Sequence, residues 1–155
     1  MSGQAAIHEA AHAVGCLTFR RYFHSVVVGT HERLTVTGRI ARAGGAVIRP
    51  SMYLPRIPCQ ERSYMEHSVL IALAGPVAQA KYGKVSLAGV YCGPGSNDSE
   101  YVEQCLADFD ICHLFDEFER RAKAFVRRRW ASIVAVANRL VLDRRLSYDQ
   151  VRSLQ

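Results

Sequence analysis

No run of about 18 consecutive apolar residues occurs in this chain, so the sequence offers no membrane-spanning helix. It does not open like a secretory leader either, because Met1-Ser2-Gly3-Gln4 is not a basic segment leading into an apolar core. Cysteines at redox or zinc-knuckle spacing are also missing. The five cysteines, Cys16, Cys59, Cys92, Cys105 and Cys112, are odd in number and none stands in a CxxC pair. A disulfide framework is therefore not expected, and reduced thiols in a cytoplasmic protein are. Cys105 and Cys112 are expected to share a buried helix face. A GxxxxGKS or GxxxxGKT loop is absent, which leaves no P-loop nucleotide site in this sequence. Internal repeats and low-complexity segments are lacking too, and 155 residues suit one domain, 1–155, with a real hydrophobic core.

What is present is ordinary in composition, 49% hydrophobic and 22% charged, but unevenly charged, with a net +6 and a pI near 9.3. Much of the excess lies between Arg120 and Arg129. Ala124, Phe125, Trp130, Ile133, Val134 and Ala137 supply an apolar side to the same region. The stretch therefore reads as the solvated face of an amphipathic helix rather than a nucleic-acid surface. No aromatic-rich platform for single strands accompanies it.

One segment carries specific chemistry. His8-Glu9-Ala10-Ala11-His12 has the HExxH spacing. Residues four apart share one face of a helix, so two imidazoles can reach one metal ion. Glu9, directly after the first histidine, can act as general base toward a water at that metal. The flanking Ala5, Ala6, Ile7, Ala13, Val14 and Leu17 favour a buried helix. A core helix with satisfied polar residues would explain one buried histidine. It explains two histidines and a glutamate at ligand spacing poorly, since buried polar groups need partners.

The remainder predicts a mainly α protein with a small β-sheet, an α+β chain. A first helix over 3–20 precedes strands at Ser25–Gly29, Leu34–Ala41 and Ala46–Arg49. Pro50, Pro55 and Pro58 then mark a loop. A helix follows from about Gln60 to Gly83, with a kink or break expected at Pro76, which cannot donate to the carbonyl of Ala72. Residues 84–96 read as a loop. Asn97-Asp98-Ser99-Glu100 reads as a capping box, with Asn97 at the N-cap of a helix running to about Cys112. One long helix is expected from Phe115 to Leu142, and Ser147-Tyr148-Asp149-Gln150 caps a last short one.

Catalytic zinc commonly takes three protein ligands. His8 and His12 are two; Asp98, Glu66, His67, Glu100 and His113 are candidates for the third. Asp98 sits in a Gly-rich segment at a helix start, where an aspartate can equally serve the helix dipole. His24 and His31 are expected in surface loops, and they, His67 and His113 read as structural.

Three segments together resemble the FtsH-type zinc peptidase domain. His8-Glu9-Ala10-Ala11-His12-Ala13-Val14 is similar to its HEAGHAV segment. Ile71-Ala72-Leu73-Ala74-Gly75-Pro76-Val77-Ala78 is similar to its LGGRAAE helix, and Ser96-Asn97-Asp98-Ser99-Glu100 to its SND segment. Order and approximate spacing agree over roughly residues 4 to 140. The resemblance implies a zincin-like, mainly helical domain with a small sheet. It also implies that Asp98 is the third Zn2+ ligand and that Glu9 is the catalytic base. The implied substrate is unfolded or flexible polypeptide, delivered in that family by an adjoining ATPase module and cut by a metal-activated water. The chain departs from the family at Ala11, where glycine is usual, and at Pro76, where arginine is. Gln79 and Ala80 replace the acidic pair, and no ATPase loop is present. A separate or missing ATPase is thus an implied partner, and the family's hexameric rings carry over no oligomeric state. Residues 34–41, as a strand, would pair with extended substrate by β-augmentation. The alternative reading is a catalytically inactive peptidase-like scaffold that acts as a binding or regulatory module.

Overall fold

The first helix, α1 (Gly3–Thr18), is almost entirely interior. Ala6, Ile7, His8 and the whole run from Ala10 to Cys16 are buried. Alanines and Gly15 let neighbouring helices approach closely, and a Cβ on Gly15 would stand 3.3 Å from Ile71 Cγ1. The helix ends in a Schellman turn. Arg20 takes a left-handed conformation with φ 56°, the Arg21 amide donates to Cys16 O at 2.6 Å and the Arg20 amide to Leu17 O at 3.1 Å. This turn sends the chain into the sheet. In this computed structural model the described residues are 3–28, 32–34, 40–42, 45–48 and 58–155, with side chains excepted over 29–60.

The sheet is small. β1 (Phe23–Val27) lies between β4 (Gly45–Ile48) and β5 (Arg145–Ser147), antiparallel to both. A separate antiparallel pair joins β2 (Glu32–Leu34) to β3 (Ile40–Arg42). Leu34 is the partner of Ile40 in that pair, so one strand cannot run through 34–41 as expected. Residues 35–39 lie outside the described residues. So do Pro50, Pro55 and His31. His24 lies within β1 rather than in a loop, and its side chain is exposed.

α2 (Pro58–Gly83) is the central helix, packed against α1, α4 (Ser96–Asp108) and α5 (Phe115–Arg128). Pro58 stands at its start, where a missing N–H costs nothing. Pro76 does not break it; the helix is assigned without interruption to Gly83. Packing on several sides holds the segment helical despite the missing donor.

Further expectations fail along the rest of the chain. The 84–96 loop contains a short helix, α3 (Leu87–Tyr91), capped by Ser86 Oγ, which accepts from the Gly89 amide at 3.1 Å. The helix expected with Asn97 as its N-cap begins two residues earlier, at Ser96. Gly95 is its N-cap, no side chain caps it, and Asp98 falls in its first turn. α4 ends at Asp108, and Cys112 belongs to a separate 3-10 turn, Cys112–Leu114. Cys112 is exposed and Cys105 half-buried, so they share no buried face. The long helix of 115–142 is two helices, α5 and α6 (Trp130–Asp143), divided at Arg129. The division lets α5 bury Phe118, Ala122, Phe125 and Val126 toward α2, while α6 buries Ile133, Val136, Ala137 and Leu140 toward α1. After α6, Arg144 turns with φ 64° into β5. Ser147 then caps α7 (Tyr148–Ser153) in a capping box with Gln150, as its sequence predicts. The architecture is mainly helical with a small antiparallel sheet. No helix among the described residues is long and apolar enough to cross a membrane.

Candidate metal centre

The site forms where α1, α2 and α4 meet. His8 and His12, one turn apart on α1, are both buried. Their Nε2 atoms lie 3.0 Å apart. Asp98 reaches them from the first turn of α4, with Oδ2 3.0 Å from His8 Nε2 and Oδ1 3.5 Å from His12 Nε2. A carboxylate in that turn also faces the positive end of the helix dipole, so the two roles considered for Asp98 coincide. Among the described residues, His8, His12 and Asp98 form a group able to hold a metal ion, one ligand atom from each lying within 4.8 Å of the others.

The far sides of both rings are held by oxygen acceptors. His12 Nδ1 donates to the backbone carbonyl of Ile71 at 2.8 Å, and His8 Nδ1 donates to Gln79 Oε1 at 2.8 Å. Both acceptors lie on α2. A carbonyl oxygen can only accept, so each ring carries a hydrogen on Nδ1 and directs its Nε2 inward. With both rings neutral, two Nε2 lone pairs and a carboxylate converge on one point. That arrangement repels itself unless a cation, a proton or a metal ion, lies at its centre.

The electrostatics agree. Burial alone would lower the pKa of His12. The hydrogen bond and charge of Asp98, the charge of Glu9 and the Ile71 carbonyl outweigh it and raise the value to about 9. Burial likewise pushes Asp98 up, but hydrogen bonds and charge from His12 and His8 hold it well below the usual carboxylate range.

The donor set fits zinc. Nitrogen and oxygen ligands at about 2.0–2.1 Å from a tetrahedral ion stand roughly 3.3 Å apart, and the separations here, 3.0 to 3.5 Å, bracket that figure. The ordering of both rings by outer partners is also what ligand histidines need.

Gly75 keeps the space open. A Cβ built there would overlap the His12 ring and lie 2.8 Å from His8 Nε2. Next to it, Pro76 provides the surface on which the α3–α4 turn rests. A Cβ on Gly95 would meet Pro76 Cγ at 3.0 Å and Val90 Cγ1 at 3.1 Å. Gly75 therefore admits the histidines, and Pro76 supports the turn that delivers Asp98.

The other third-ligand candidates lie elsewhere. Glu66 pairs with Arg62 Nε at 2.9 Å and with Arg121 at 3.2 Å. His67 stacks on Phe19 with centroids 4.5 Å apart. Glu100 is exposed on α4, and His113 is exposed in the 3-10 turn. Glu9 stays on α1 beside His8, half-buried, and its charge acts on His12.

Two residues of the site escaped the sequence reading, Gln79 and Gly75. Gln79 appeared only as a departure from an acidic pair. Its signal was available, because within Val69–Ala80 it is the sole side chain able to hydrogen-bond. A lone polar group in an apolar helix must find a partner.

Neither a protein-family model nor a curated protein matches this chain at significant similarity.

Proposed function

We propose that this chain is a zinc-dependent endopeptidase acting on unfolded or flexible polypeptide. The observation that carries the reading is the convergence of His8 Nε2, His12 Nε2 and the Asp98 carboxylate beside Glu9. The resemblance of three segments to the FtsH-type peptidase domain is in keeping with it. A zinc ion held by His8, His12 and Asp98 would supply Lewis acidity, bringing the pKa of a water toward about 7 and polarising the scissile carbonyl.

The chain's own residues do the rest. Gln79 and the Ile71 carbonyl accept from Nδ1 of the two rings, so that Nε2 rather than Nδ1 is left to ligate a metal. Glu9 takes the proton of the attacking water through its carboxylate and returns it to the departing amine. The α1 backbone fixes Glu9 relative to His8. Leu34 of β2 pairs with Ile40 of β3, so augmentation along 34–41 as a single strand forms no part of the mechanism. Hydrolysis by these groups needs no nucleotide. A folded substrate would need a separate unfolding motor.

The test uses the purified chain. Its zinc content should be about one ion per chain, and it should cut a labelled unfolded polypeptide. Glu9→Gln should keep the zinc and lower the rate by about 10²–10⁴-fold. A chain that takes up no zinc, or a Glu9→Gln variant of full activity, would sink the proposal.

A further inference from the structure

A concave site lies on the side of α2 opposite the metal centre. Ile71, Gly75 and Gln79 face α1, and at 3.6 residues per turn Val77, Ala80 and Lys81 point away from them. There, between the end of α2, the start of α3 and α5, is a groove of about 640 Å³. This is within the span of about 300–1,000 Å³ usual for ligand sites. Its floor is apolar, built from Val77, Ala80, Leu87, Ala124 and Val126. Lys81, Arg120, Lys123 and Arg127 stand around it, and no carboxylate lines it among the described residues.

The cations are available. Arg120 bonds Glu117 and Lys123 bonds Glu119, each within one turn of α5. Exposed pairs of this kind are weak and exchange readily for a ligand. Lys81 lies 4.8 Å over the Trp130 ring, and Arg127 makes no ion pair among the described residues. Val85, half exposed, extends the apolar surface at the edge of the groove.

We propose that this groove binds an acidic polypeptide segment anchored by apolar side chains. Charge complementarity selects the carboxylates, and the floor selects the anchors. An inorganic anion would leave the apolar floor unused. Single-stranded nucleic acid is held on aromatic platforms, and none of the described residues lining the groove is aromatic. A lipid surface is met by a protruding apolar face, whereas this one is recessed. The site does not depend on the metal centre or on catalysis.

The experiment is fluorescence anisotropy with the full Glu9→Gln chain, which leaves the probe uncut if the protein is a peptidase. The probe is a fluorescein-labelled peptide alternating Glu with Leu and Phe. Binding should saturate and weaken steeply with salt, as expected for a charged rim. Arg127→Glu should weaken it by about tenfold or more, equivalent to about 1.4 kcal/mol, with an unchanged circular dichroism spectrum. Replacing Leu and Phe by Ser in the probe should do the same. Equal binding of the Ser peptide would reduce the effect to charge alone and overturn the proposal. So would unchanged binding by a folded Arg127→Glu protein, or uptake of laurate without any uptake of peptide.

Discussion

Gln79 on α2 accepts a hydrogen bond from His8 Nδ1 at 2.8 Å, and the opposite nitrogen of the same ring lies 3.0 Å from Asp98. The imidazole is thus clamped between an amide oxygen and a carboxylate supplied by two different helices. His12 is held in the same sense, but by the backbone of Ile71. Only the His8 clamp can therefore be removed by substitution.

Gln79→Ala should lower zinc affinity by about 10–100-fold, the usual cost of losing an outer partner of a ligand histidine. Gln79→Glu keeps an acceptor in place and should restore most of the affinity. Titration against a chromophoric chelator measures both. Wild-type affinity in Gln79→Ala would mean that packing alone orients His8.

Gly75→Ala separates folding from metal binding. In a helix interior the change from glycine to alanine favours the helix by about 0.5–1 kcal/mol. Here the added Cβ would overlap the His12 ring and come within 2.8 Å of His8 Nε2. The expected protein is helical by circular dichroism and binds little zinc. A full complement of zinc would show that α1 and α2 can separate without loss.

Asp98→Ala should cost more zinc affinity than Gln79→Ala, because it removes a ligand atom rather than its support. Glu66→Ala is the matched control. Glu66 is occupied by Arg62 and Arg121, so its loss should loosen the contact between α2 and α5 and leave zinc affinity unchanged. A reversed order of effects in the same titration would move the third ligand away from Asp98.

The thiols should differ in reactivity with pH. Burial is the main cause that pushes Cys16 up to about 12, against a smaller opposing effect of Arg21, whereas Cys92 and Cys112 are exposed. Iodoacetamide at pH 8 to 9 should modify Cys92 and Cys112 and spare Cys16 in the native state, as mass spectrometry of the digested protein would show. The folded-state value lies above the unfolded one, so the folded form holds its proton longer. The stability gained is complete below about pH 9 and is lost as pH climbs toward 12. Rapid labelling of Cys16 at pH 8 would show that the α1 core opens readily.

What is local in this protein follows from its sequence alone. Apolar and small residues around His8 and His12 dictate a buried helix, and helical periodicity puts both imidazoles within reach of one point. Ser147 and Gln150, three apart, are enough to specify the last helix start. The choice among Asp98, Glu66, His67, Glu100 and His113 is of another kind. Each is a plausible ligand by chemistry, and nothing within a few residues of any of them says which will arrive beside α1.

Tertiary packing made that choice. It drew Glu66 to the guanidinium groups of Arg62 and Arg121, laid His67 on Phe19, and pressed Gly95 onto Pro76 so that the first turn of α4 delivers Asp98. It also divided residues 115–142 at Arg129, because one half buries its apolar side against α2 and the other against α1. The clamp from Gln79 and the space left by Gly75 arise in the same way, from where α2 lies on α1. Spacing along one helix is set by bonds between neighbours. Contact between helices distant in sequence is set by which apolar faces can be buried together, and only the assembled chain settles that.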